Sequence, residues 1–397
     1  MMEAQDARLP MHRICSLTVT LLVALPASAV EIDWVRVGSP GNACDPQADG
    51  CFGAVRHRYR IAKYEVTNAQ YVEFLNAVAR LDPNELYSPH MTSSTYGGIT
   101  RTGIPGLYLY DTISGREDVA VNYVSFYDGL RFANWLHNGQ PSGFQDASTT
   151  EDGAYTITPE GIDDNSIVRN SGATFFVPSE HEWYKAAYYD PLSASFLAYP
   201  AGSDSPTVCT APTAATNSAN CDAVGSDNFD PDIDDLTIVG SFPGSASPFG
   251  TFDQGGNAIE WNETPFDFNH RGLRGGGFYL RLEFLAAAKR SASFAEAGSF
   301  DLGLRVAAIP EPGTALLVGG GLLLLAGRAQ RPARRTRTSS ARPLDPPPAR
   351  SRTRTSPTRS TRPAAARRWQ VDCTRSPASA PVTSTSRRST TTSPAAC

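Results

Sequence analysis

Helical periodicity occurs three times in the first half of this chain and then stops, and this limits what the chain can fold into. The first helix is expected from Thr67, an N-cap whose capping partner is Gln70, with Tyr71, Phe74, Leu75 and Val78 following at helical spacing until Pro83. The second begins at Ser125, with Asp128 three residues on and an apolar face of Phe126, Leu130, Ala133 and Leu136. Asn138-Gly139 and Pro141 stop it. The third begins at Ser179, with Glu182 as the capping partner and Trp183, Ala186 and Ala187 behind it. After Asp190 only short strand candidates remain: Leu236 to Val239, Gly277 to Leu280, Leu285 to Lys289 and Leu304 to Ala308. Arg58 to Tyr64 reads as an earlier strand, and Tyr87 to Val119 as Gly/Thr/Tyr-rich loop with one hairpin. Few capped helices, many short strands and long loops predict an irregular α+β domain. No internal repeat is present.

Charge divides the chain. From Arg328 to the end there are 16 arginines and 2 aspartates, which leaves 19 basic and 38 acidic residues before it, a net charge of −19. That acidic body argues against nucleic-acid binding by the folded part. The tail, residues 336–397, is Arg/Ser/Thr/Pro-rich and too poor in apolar side chains to bury a core, so disorder is expected there. Residues 1–29 read as a secretory signal: Met11 to Arg13 is a basic start, with Met11 an alternative to Met1 as the first residue, Leu17 to Leu25 an apolar run, and Ala27-Ser28-Ala29 a cleavage site. The mature chain then starts at Val30. Cys44 with Cys51, and Cys209 with Cys221, sit as close pairs in Gly/Asp/Asn/Ser-rich loops. Disulfides in an oxidising compartment are favoured over a metal site, because no His lies at zinc spacing.

Six segments carry a family resemblance, in order, across residues 31 to 308. They are Tyr64-Glu65-Val66-Thr67-Asn68; Val124-Ser125-Phe126 with Asp128; Val177-Pro178-Ser179-Glu180 with Glu182-Trp183; Gly256-Asn257-Ala258 with Glu260-Trp261; Leu273-Arg274-Gly275-Gly276; and Gly303-Leu304-Arg305-Val306. Together they resemble the formylglycine-generating, or sulfatase-modifying factor, enzyme family, which implies a C-type-lectin-like domain over residues 30–309. Pro310-Glu311-Pro312, the apolar run Thr314 to Gly327 and the arginines after it resemble a PEP-CTERM sorting signal over residues 310–335. That resemblance implies a Gram-negative cell, transient membrane anchoring through the C-terminal segment, and an exosortase-type membrane transpeptidase as partner. Such signals usually end soon after the arginines, whereas this chain continues, as a real extension or a frame error.

In the family's oxidase branch two cysteines bind copper, one of them opening a Cys-Ala-Ala-Arg-Ser segment. Aligning Arg290-Ser291 puts those positions at Ala287 and Leu282, neither of which forms a thiolate, so copper chemistry is not expected. A second branch uses His ligands for iron, but His12, His57, His90, His137, His181 and His270 share no helix face. The resemblance implies structural calcium at Asp253, Gly256, Ala258 and Glu260, whose hard oxygens suit that ion; the alternative is that the loop is braced by hydrogen bonds. Asp230, Asp232 and Asp234 resemble an EF-hand start, but Asp235 and Ser241 stand where Gly and Glu are needed. Arg274 and Arg290 either pair inside the core or border a ligand groove. Two functions remain open: a non-catalytic cell-surface module for a polysaccharide or protein ligand, or a family enzyme with metal or acid–base chemistry in place of cysteines.

Overall fold

In the computed structural model, residues 29–92, 95–222 and 235–310 are described. The signal region, the Asp230–Asp234 segment, the sorting signal and the tail lie outside these residues, apart from Ala29 and Pro310. Among the described residues no helix is long and apolar enough to cross a membrane.

The three expected helices form where the capping residues place them. They are α1 (Asn68–Val78), α2 (Phe126–His137) and α4 (Glu180–Tyr188), each opened by a complete capping box at Thr67/Gln70, Ser125/Asp128 and Ser179/Glu182. A short α3 (Pro159–Asp163) was not expected; Thr158 caps it and it buries no residue. Of these helices α2 is central, with Phe126 through Leu136 all buried. One side of it, with Phe126, Leu130 and Ala133, packs with Tyr59, Ile61, Phe176 and Trp261. The other, with Phe132, Trp135 and Leu136, packs with Tyr71, Phe74 and Val78 of α1. Phe74 and Phe132 meet edge to face, 5.3 Å between ring centroids at 86°.

Two four-stranded sheets flank this core. In one, Trp34–Val37, Tyr59–Ala62, Ala307–Ala308 and Phe175–Phe176 pair antiparallel in that order. In the other the order is Ser291–Phe294, His270–Arg274, Ile259–Pro265 and Leu302–Gly303, the last pairing being parallel. The expected hairpin after Tyr87 is Ile99–Thr102 with Leu109–Thr112. A second hairpin, Asp45–Gln47 with Gly50–Phe52, is tied off by the Cys44–Cys51 disulfide, and Cys209–Cys221 links the loop after α4.

Some strand expectations fail. Leu285 to Lys289 is the end of a 3₁₀ turn (Leu282–Leu285) followed by turns, because the carbonyls of Ala287 and Lys289 are drawn onto Arg274 rather than into a ladder. Leu236 to Val239 makes a single bridge, Ile238 to Val119, and Gly277 to Leu280 is a turn. Leu304 to Ala308 is strand only at Ala307–Ala308.

Because α2 carries both halves of the core, its cap should matter. Ser125→Ala should cost about 1–2 kcal/mol in chemical denaturation. Thr158→Ala, at the cap of α3, should cost clearly less. Equal costs would contradict the central position of α2.

Candidate functional site

The family-like segments converge on three buried ion-pair networks. In the first, Glu260 and Arg305 both have fully buried side chains. Arg305 Nη2 donates to Glu260 Oε1 at 2.6 Å, Arg305 Nε reaches both carboxylate oxygens at 3.0 and 2.9 Å, and Trp183 Nε1 donates to Oε2 at 2.6 Å. Nearby, Glu65 accepts the Ala258 N–H at 3.0 Å and the Asn257 amide at 2.9 Å. Burial, then the charges of Asp253 and Glu260, push the Glu65 carboxyl well above its usual range.

The four residues expected to hold calcium all make contacts within the fold. Asp253 accepts the Gly240 N–H at 2.6 Å, and Ala258 donates to Glu65. Gly256 has φ +85°, and a Cβ there would stand 2.2 Å from the Asn220 carbonyl oxygen, so glycine is needed for this close approach. Glu260 already has its opposite charge in Arg305. In this arrangement both Glu260 oxygens are taken by Arg305 and Trp183, and a calcium ion would have to displace one of them to reach that carboxylate. Among the described residues no group of three or more His, Cys, Asp or Glu could hold a metal.

The second network settles how Arg274 and Arg290 are used. Both pair with Glu180 at the start of α4. Arg274 Nε donates to Glu180 Oε1 at 2.8 Å, while its Nη2 stands 2.7 Å from the same oxygen outside hydrogen-bonding geometry. Arg290 forks onto both oxygens at 2.6 and 2.7 Å, and both guanidiniums lie over the Phe52 ring. Arg274 is fully buried, so it borders no groove; Arg290 is 17% exposed. Ala287 is buried among Phe52, Trp183, Tyr184, Ala187 and Tyr188, and its carbonyl accepts Arg274 Nη1 at 2.8 Å. Leu282 packs with Leu285 against the Cys209–Cys221 disulfide. The two positions that would carry the copper cysteines are thus filled with apolar packing.

Sequence reasoning missed the third network. Arg169 donates to Glu182 at 2.6 Å and to Glu263 at 2.6 Å, Tyr155 donates to Glu263 at 2.8 Å, and His57 Nε2 lies 2.9 Å from Glu182. Arg169 and Glu263 lie outside the family-like segments, so only Glu182 gave a signal. Burial pushes the Glu182 carboxyl up, but hydrogen bonds from His57 and Arg169 outweigh it and hold it at about 2. A depressed carboxyl contributes stability that is present above the unfolded value of 4.5 and lost as pH falls through about 2. Arg169→Gln should therefore move the acid-unfolding midpoint to higher pH; an unchanged midpoint would contradict this pairing. Glu180→Gln should cost about 3–5 kcal/mol, since it leaves buried Arg274 without its anion. Arg290→Gln, at a more exposed charge, should cost about 1 kcal/mol.

No curated protein matches the chain. The crystal structure of CarF is similar at 20% identity with a TM-score of 0.47, covering 71% of this chain and 99% of that one. Treponema denticola variable protein 1 follows at 18% and 0.43, covering 71% and 97%. PvdO from Pseudomonas aeruginosa stands at 16% and 0.39, covering 70% and 92%. The family model described as the sulfatase-modifying factor enzyme 1-like domain matches residues 47–309, well over half of the chain. Its α+β, C-type-lectin-like architecture is the one observed here. By its ordered motifs, its fold and this match, the chain belongs to the sulfatase-modifying factor enzyme 1-like domain family.

Proposed function

We propose that the protein is an exported, non-catalytic member of this family that presents a ligand-binding domain at the cell surface. The observation that carries the reading is the filled site at Leu282 and Ala287. A copper-binding cysteine pair needs two thiolates and room for substrate, and here one position covers a disulfide and the other is walled by aromatic rings. Export is supported by the two disulfides, which belong to an oxidising compartment. It is also supported by the way the chain enters the fold at Val30: Gln140 clamps that residue, accepting its N–H at 2.6 Å and donating to its carbonyl at 3.0 Å. A new N-terminus at Val30 would keep both bonds.

The ligand class is an extracellular polysaccharide or protein, and retention or release runs through the PEP-CTERM-like segment and an exosortase-type transpeptidase. Exposed to copper or iron and a thiol peptide, the secreted protein should consume no oxygen above buffer and should hold no copper. Metal-dependent oxygen uptake would overturn the non-catalytic reading in favour of a family enzyme with other ligands.

A further inference from the structure

A cleft of about 830 Å³ opens on the side of the domain formed by the segment after α1, the Ile99–Thr112 hairpin and the start of α2. It lies within the size range of small-molecule sites. None of the six family-like segments supplies more than its α2 edge. Tyrosine is its dominant side chain: Tyr87, Tyr108, Tyr123 and Tyr127 all line it. The Arg101 guanidinium lies 4.6 Å from the Tyr87 ring centre and 4.4 Å from that of Tyr108, and 3.8 Å from Asp82, which fixes this wall. Tyr123 also lines the cleft, stacked on His90 with ring centres 5.6 Å apart.

Three of the ten non-glycine residues with positive φ among the described residues line this cleft. Asp82, Glu85 and Tyr123 hold φ of +59°, +53° and +58°. For a bulky residue such as Tyr123 this conformation is a clear outlier, and such positions gather at ligand clamps. Charge narrows the ligand further. Four carboxylates line the cleft (Asp82, Glu85, Asp128, Glu296) against two guanidiniums, and one of those, Arg131, is already forked onto Glu151 at 2.8 and 3.1 Å. An anionic ligand is therefore repelled. Carboxylates accept pairs of hydroxyl hydrogens, and tyrosine rings offer flat apolar faces with a polar edge.

We propose that this tyrosine- and carboxylate-lined cleft binds a neutral oligosaccharide, with sugar rings stacked on Tyr108 and Tyr123 and hydroxyls donated to Glu296. The inference rests on the ligand-binding reading given above and gives it a site and a substrate class.

Isothermal titration of the secreted protein with cellohexaose, laminarihexaose and maltohexaose tests this, with an alginate hexamer as the anionic comparison. At least one neutral hexasaccharide should bind, and more tightly than alginate. Tyr108→Ala should weaken it about tenfold, the loss of one stacked ring. Glu296→Gln, at an exposed position that does not threaten folding, should weaken it several-fold, and Leu192→Ala, at a fully exposed residue outside the cleft, should leave it unchanged. No binding by any neutral probe, tighter binding of alginate, or binding indifferent to both Tyr108→Ala and Glu296→Gln would overturn the proposal. The last of these would leave the ligand-binding reading standing with its site elsewhere, whereas metal-dependent oxygen uptake would remove that reading itself.

Discussion

The rest of the domain depends on a single ion pair with no access to water, Glu260 with Arg305. Arg305 also donates to the Ala62 carbonyl at 3.0 Å and the Phe252 carbonyl at 2.8 Å. Glu260 sits in one sheet and accepts from Trp183 of α4, while Ala62 ends a strand of the other sheet. One guanidinium thus joins both sheets and a loop, and its carboxylate adds a helix. Placing two charges out of water costs several kcal/mol per ion, so such a pair is held only where geometry is good and the remaining donors are satisfied. Burial alone would lower the Arg305 pKa; the Glu260 charge outweighs it and raises it.

A fold with short strands and long loops needs this kind of fastening. Carbonyls outside a ladder still require donors when they are buried. Arg271 shows the solution: buried on the His270–Arg274 strand, it donates to the carbonyls of Glu263 in the next strand and of Asn165 and Ile167 in a loop. Arg274 does the same for Ala287 and Lys289. The family-like segments supply Glu260, Arg274 and Arg305 among these fastenings, and of the two positions that the resemblance assigns to copper-binding cysteines, Ala287 is buried and Leu282 is partly buried beside the Cys209–Cys221 disulfide.

The helices were legible because capping is local: Thr67, Ser125 and Ser179 each mark a start within three residues of a partner. Both disulfides were legible from the spacing of their cysteines. The Ile259–Pro265 strand was not, because Glu260, Trp261 and Asn262 are buried together and show no alternation of polar and apolar. The alternatives weighed for Arg274 divided on a fact no sequence carries, namely that Glu180 lies within reach. The cleft was invisible for a similar reason. Tyr87, Tyr108, Tyr123 and Glu296 come from four separate stretches of chain, and only the fold brings them to one cleft.

The most direct test of a scaffold hung on Glu260–Arg305 is a double-mutant cycle at that pair by chemical denaturation of the protein. Glu260→Met and Arg305→Met should each cost about 3–5 kcal/mol, because each leaves a buried charge alone. The double variant should cost clearly less than their sum, with a coupling of at least 2 kcal/mol, near the upper end of the usual range for interacting residues. Additive losses, or single losses below about 1 kcal/mol, would show that the two sheets are joined by something else.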